Sequence, residues 1–324
     1  MRDVALPDIS YGATAVRPDW EDLPTAVRDL ISKRLGAPVA SATSAGGGFT
    51  RAFAAVLTTE SGERVFVKVA SQQDPTAEWY AREHAITAAL PAGVRAARPR
   101  WTAAGAGHFV LCLDAVDGRV PGLPWSDSDL NAALDAWSAA ASALANPSGD
   151  LLAIGPPALP DVIREHLSWW SEIAAGREPM PRTVPDWVPS RLNDLATLER
   201  ELPALAAGGG MLHGDLRIDN VLIDASGAAW LCDWTWPCLG AAWFDTVTLL
   251  VSAYASGLDV DALLEPWSAP QRGVDGVLAA MSGYWLVLAS GPVGTASPHS
   301  SQHHRFSGTQ ALAWLADRRG WTQP

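Results

Sequence analysis

The chain has little of several residue types that would narrow its class. Its 324 residues include three cysteines, Cys112, Cys232 and Cys238. That number is odd and too small for a disulfide framework, and no CxxC or Cys/His spacing suggests zinc. A reduced, cytoplasmic protein is the expectation. Long apolar runs are also missing. The longest, "VLAAMSGYWLVLA" at 277–289, falls short of the ~18 residues of a membrane span and predicts a buried helix. The opening "MRDVALPDISYGATAVRPDW" carries acids and no apolar core of leader length. Basic residues are outnumbered 23 to 35, for a net charge of −12. That disfavours nucleic acid, which wants a basic face. The acidity suits a cationic small molecule, and equally suits simple solubility.

Lysine is scarcest of all. Only Lys33 and Lys68 occur, against 23 basic residues in total. A lysine kept inside the apolar stretch "RVFVKVA" points to a task for a compact point charge that the wide guanidinium fork cannot do.

What is present divides into two parts. Up to about residue 117 the chain alternates short strand-like runs with turns. "FAAVLTTESGERVFVKVA" predicts two strands around Glu60–Glu63, and "HFVLCLDAV" (108–116) another. Residues 77–90 predict a helix with Trp79, Ala85, Ile86 and Leu90 as apolar contacts. After Gly118 helical patterns dominate. Leu130, Leu134, Trp137, Ala141 and Leu144 form one amphipathic stripe. Ile163, Leu167, Trp170 and Ala174 form a second within 161–176, and Leu192, Leu195, Leu198 and Leu202 a third. A hairpin is expected with Val221–Ile223 and Ala229–Cys232 as its strands. The expected organisation is a strand-rich lobe over 1–117, a link near 114–122 and a helical lobe over 118–324. The sixteen tryptophans read as packing residues, Trp169 and Trp170 included, and His299, His303 and His304 read as loop residues.

One octapeptide stands apart: "HGDLRIDN", residues 213–220, set between apolar runs. The hairpin after it would bring Asn220 and Asp233 to the same end. Two such oxygen ligands suit Mg²⁺, which takes few protein carboxylates and completes its shell on substrate phosphates. Asp215 would stand nearby to orient a hydroxyl and accept its proton. Phosphoryl transfer needs this set plus a cation from another direction. Lys68 can supply it, held by Glu83 or Glu78 on the next helix. The turn "SAGGGFTR" (44–51) lets backbone approach phosphates because glycine lacks a Cβ. Arg217 and Asp219 could form a simple surface ion pair, and His213 reads as a structural hydrogen-bonder.

"HGDLRIDN…LCDW" resembles the catalytic signature of the aminoglycoside phosphotransferase family, relatives of the protein kinases. "GGGFTR", "VFVK", "VLCLDAVDG" and "GAAWFDTVTLL" look like that family's nucleotide lobe, hinge and post-metal segment. The resemblance implies an α+β, protein-kinase-like bilobal fold working with ATP and Mg²⁺. It implies Asp215 as catalytic base, with His213 and Arg217 shaping its loop, and Asn220 and Asp233 on the metal. Lys68, paired with Glu83, would hold the α/β-phosphates beneath Gly47, Gly48 and Phe49. Asp114 and Val116 would offer hinge backbone to adenine, and Asp245 would steady the catalytic segment. "DWT" in place of the kinase DFG fits small-molecule kinases better than protein kinases. The implied partner is a hydroxyl-bearing small molecule, with no nucleic acid, no membrane and no implied oligomeric state. An aminoglycoside-like antibiotic leads. A macrolide, a nucleoside antibiotic, choline or an amino alcohol are alternatives. The acceptor is expected over Asp215, walled by the helices of 125–205 and the C-terminal segment, with Asp161, Glu165 and Glu172 facing an amino-sugar. A non-catalytic kinase-shaped protein is the rival of another class. A hydrolase is disfavoured by the absence of a G-x-S-x-G elbow and of a GxxxxGK[ST] loop.

Overall fold

The computed structural model describes residues 4–292 and 296–321. Helix α1 (Thr25–Leu35) precedes a five-stranded antiparallel sheet. Its strands are β1 (Val39–Ser44), β2 (Phe53–Thr59), β3 (Arg64–Ser71), β4 (Pro99–Gly105) and β5 (His108–Asp114), in spatial order β1-β2-β3-β5-β4. Helix α2 (Thr76–Ala89) lies between β3 and β4 in sequence. Strand alternation sends successive side chains to opposite faces. Val65, Val67 and Val69 of β3 therefore pack with Val27 and Ile31 of α1. Phe66 and Ala70 share the other face with Ala77 and Tyr80 of α2. Lys68 has the parity of that second face, which is why a lysine in a central strand is buried beside α2 rather than solvated.

The second lobe opens with β6 (Gly118–Arg119), α3 (Asp127–Ala143), α4 (Gly149–Ala153), α5 (Leu159–His166), α6 (Trp169–Ala174) and α7 (Leu192–Leu205). Four short strands follow, β7 (Gly210–Leu212), β8 (Val221–Asp224), β9 (Ala229–Leu231) and β10 (Cys238–Gly240). Helices α8 (Trp243–Ala255), α9 (Val260–Leu264), α10 (Gln271–Ser290) and α11 (Ser300–Arg319) complete it. The expected α+β, two-lobed arrangement is thus present, including the β8–β9 hairpin with Val221 opposite Leu231.

Three local expectations are corrected. Residues 161–176 are two helices, not one. The buried Glu199 carboxylate of α7 accepts from the Trp170 and Ser171 amides (2.9 and 2.8 Å), so it caps a new helix start there. The inward residue of that turn is Ile173, while Ala174 is exposed. Trp79 points outward at 38% exposure. His303 and His304 lie in α11, not in a loop. The buried helix expected at 277–289 is present within α10, which reaches 20 residues and is long and apolar enough to span a membrane by length and composition. It packs instead against α7 and α11, with 67% of its apolar window buried. The uninterrupted run was short because Asp275 and Gly276 precede it within the same helix.

Candidate active site

The cleft begins with Lys68. Its Nζ donates to both Glu83 carboxylate oxygens (2.9 and 2.7 Å) and reaches Asp233 Oδ1 at 3.4 Å. Glu83 is buried on α2, whereas Glu78 is exposed, which decides between the two candidate partners. Burial opposes the ammonium charge, but Asp233 and Glu83 outweigh it and hold the Lys68 pKa above its ordinary value. Burial likewise disfavours the Asp233 charge, yet Lys68 and the Thr235 hydroxyl (2.9 Å) keep its pKa below the usual carboxylate range. Asp233 sits at φ 63°, a left-handed conformation uncommon outside glycine. Side chains on separate lobes, 165 residues apart in sequence, thus share one charge cluster.

The octapeptide forms the floor. β7 pairs with β10 and delivers His213 into the interior. The His213 ring lies off the cleft wall, 2.9 Å from the Cys232 carbonyl, and its Nδ1 accepts from the Asp215 amide at 3.3 Å. Burial pushes its pKa down to about 4, so it holds the loop as a neutral ring. Asp245, at the start of α8 and fully buried, accepts from the His213 and Gly214 amides (2.7 and 3.2 Å). Gly214 has φ +79°, and a Cβ there would sit 1.9 Å from the Trp236 carbonyl oxygen, so only glycine fits the turn. Asp215 then faces the cleft with its side chain a quarter exposed. Its Oδ1 accepts from Arg217 Nη1 (2.8 Å) and its Oδ2 from Asn220 Nδ2 (3.2 Å). Burial pushes its pKa up to about 7 against the pull of Arg217. A carboxyl so held can orient a hydroxyl and take its proton. Arg217 and Asp219 are not a surface pair. The Asp219 side chain is inaccessible and bonds Arg217 through both oxygens (3.1 Å each).

Lys68, Glu83, Asp215, Arg217, Asp219, Asn220 and Asp233 line one cleft of about 1450 Å³. That exceeds a usual small-ligand site of about 300–1,000 Å³ and leaves room for a nucleotide and an acceptor together. Gly47, Gly48 and Phe49 line it, as do Asp114 and Val116. The Asp114 amide already donates to the Arg98 carbonyl (2.8 Å), whereas the Val116 amide meets no acceptor among the described residues. The lining of this cleft differs from the walls expected for an acceptor. No residue of α3–α7 lines the cleft. Asp161 and Glu172 pair on the surface with Arg164 and Arg177, and Glu165 lies 3.8 Å from His166. Trp170 is buried against Ala279 and Ser282 rather than facing a ligand. Ser300 and His304 of α11 do contribute, as does an exposed pair that the sequence reading did not place in the cleft. Trp79 and Trp236 meet edge-on across the cleft mouth, 5.5 Å between ring centroids. The only sequence signal for Trp236 was its place three residues after Asp233.

No group of three or more His, Cys, Asp or Glu side chains forms a metal cage among the described residues. The donor set is instead Asn220, whose amide nitrogen is spent on Asp215 and whose oxygen is left, together with Asp233. That hard-oxygen pair fits Mg²⁺ held jointly with substrate phosphates.

A family model described as "Phosphotransferase enzyme family" matches residues 41–276, well over half of the chain. No functionally curated protein matches it in sequence. Among solved structures, spectinomycin phosphotransferase APH(9)-Ia, in complex with ADP and spectinomycin, superposes with a TM-score of 0.61 at 11% identity, covering 89% of this chain and 97% of that one. A thermostable mutant of aminoglycoside phosphotransferase APH(4)-Ia, in a ternary complex with ADP and hygromycin B, gives 0.59 at 13% identity over 89% and 97%. A putative fructosamine-3-kinase from Haemophilus somnus gives 0.55 at 12% identity over the same shares. At these identities the likeness is one of fold, the protein-kinase-like fold of small-molecule kinases. The family itself rests on the matched span, and the chain belongs to the phosphotransferase enzyme family.

Proposed function

We propose that this small-molecule kinase moves the γ-phosphoryl group of ATP to a hydroxyl of a small molecule. One observation carries the reading: Lys68, bound by Glu83 on one lobe, stands 3.4 Å from Asp233 on the other, beside Asp215 and Asn220. Lys68 would bind the α- and β-phosphates, with Gly47, Gly48 and Phe49 above them and the Asp114 carbonyl and Val116 amide on adenine. Asn220 and Asp233 would hold Mg²⁺, which supplies charge neutralisation on the phosphates when bound. Asp215, aimed by Arg217 and Asn220, takes the acceptor hydroxyl's proton as its oxygen bonds to phosphorus and ADP departs. His213 and Asp245 position that loop without touching the reacting atoms.

For the acceptor, an aminoglycoside-like or other antibiotic is the leading class, supported by the hygromycin B and spectinomycin of the neighbouring structures. That would make the activity one of resistance or self-protection. The three free thiols suit a reducing cytoplasm. An ADP-release screen over aminoglycosides, other antibiotics, ketosamines and amino alcohols, with mass spectrometry for one added phosphate, tests the reading. ADP release with no phosphorylated product from any hydroxyl compound would defeat it.

A further inference from the structure

A triphosphate would bring dense negative charge into a cleft whose inner cations are already matched. Lys68 is held by Glu83 and Asp233, and Arg217 by Asp215 and Asp219. Farther out, Arg64 and Arg119 face Asp117 and Asp129. Arg17 differs. It reaches the same cleft from the segment ahead of α1, and no carboxylate among the described residues lies at ion-pair distance from it. Its Nη1 donates to the Ala52 carbonyl (2.8 Å) and its Nη2 to the Gly47 carbonyl (3.0 Å). Its Nε is buried with no hydrogen-bond partner among the described residues. Its charge is felt at the Tyr80 phenol, whose ring centroid lies 5.2 Å from the Lys68 ammonium.

The glycine-rich loop is built around this segment. A Cβ on Gly46 would fall 2.2 Å from the Gly12 carbonyl oxygen, and one on Gly48 would fall 2.9 Å from Arg17 Nη2. The loop's carbonyls are occupied one after another. Gly46 accepts from the Ala15 amide (2.9 Å), Gly47 from Arg17, Gly48 from the Thr14 hydroxyl (3.2 Å) and Phe49 from the Ser297 amide (2.7 Å). The Gly47, Gly48 and Phe49 amides donate to no described residue. A loop whose acceptors are engaged and whose N–H groups are left over suits an anion. Arg17 adds a guanidinium with no carboxylate partner among the described residues, the geometry that matches phosphate oxygens.

We propose that residues 11–17 complete the nucleotide site, with Arg17 binding the terminal phosphates of a nucleoside triphosphate. Both this segment and Ser297 lie outside the span matched by the family model. The inference rests on the ATP-dependent reading above.

Calorimetric titration of the full chain with ATP, ADP and adenosine in the presence of Mg²⁺ tests it. Arg17→Gln keeps a donor for the loop carbonyls and removes the charge. It should weaken ATP about tenfold, as losing a charged hydrogen-bonding partner does. ADP should weaken less and adenosine not at all. Arg17→Lys should recover most of the ATP affinity, and it serves alone if the glutamine variant does not fold. Equal loss for ATP and adenosine in either variant, or no loss of ATP affinity in Arg17→Gln, overturns the proposal and leaves the kinase reading standing. A wild-type chain that binds adenosine and ATP equally, or binds neither, overturns both.

Discussion

Asp215 carries the chemistry proposed here, and its neighbours separate its roles. Arg217 and Asn220 fix one carboxylate oxygen each, so Asp215→Asn keeps the shape and loses the proton acceptor. Turnover should fall by about 10²–10⁴, the usual worth of a general base, while the calorimetric ATP affinity stays close to wild type. Undiminished turnover would remove Asp215 from the role. Gly214 makes a sharper case. Its φ of +79° and the 1.9 Å approach of the Trp236 carbonyl leave no space for a methyl group. Gly214→Ala should cost more than about 1 kcal/mol of stability in a denaturant melt and displace Asp215 as well. Asp233 adopts the same left-handed region at φ 63°, which asparagine tolerates well. Asp233→Asn should therefore fold normally, and its defect should appear as a raised Mg²⁺ requirement in the turnover assay.

At the scale of elements, α11 carries a titratable group into the core. His303 Nδ1 lies 2.9 Å from the Tyr11 hydroxyl, and Phe49 stacks on the ring at 5.0 Å. Burial first, and then the Arg217 charge, hold its pKa well below 6.5. It stays neutral in the folded chain but protonates when unfolded, so its contribution is full above pH 6.5 and is lost as pH falls below that value. Between about pH 7 and about pH 5, wild type should lose more thermal stability than His303→Gln, with both followed by circular dichroism. The sequence concealed this because "SPHSSQHHRF" has no apolar stripe to mark a helix. The hairpins and α2, α3 and α7 were legible, since their alternation or 3–4 spacing is local. The division of 161–176 was not, because it depends on Glu199, 29 residues from Trp170. The same contrast holds in the cleft. Asp215, Asn220 and Asp233 could be read from spacing across one hairpin. Arg17 and Trp79 act on partners reached only through the folded chain, and nothing periodic surrounds them.

Across the whole molecule, one of the contacts between the lobes stands at the cleft mouth. Trp79 of α2 and Trp236 beyond Asp233 touch while remaining 38% and 46% exposed. An edge-on aromatic pair is worth about 0.5–1.5 kcal/mol beyond the area it covers. A double-mutant cycle of Trp79→Ala and Trp236→Ala, read by denaturant unfolding, should return a coupling in that range. Strict additivity would mean that the two rings act independently. The C-terminal lobe does not depend on this contact, since its core is continuous from Trp137 through Trp170 to Trp314.

Tyr11 gives the molecule a property that no motif scan registers. Its side chain belongs to the core of the large lobe, although it precedes the first strand of the small one. Removing only the segment ahead of β1 would spare every signature residue from Lys68 to Asp233 and still uncover His303 and unmoor the loop above them. The resulting fragment would look intact on paper and handle as a damaged protein at the bench.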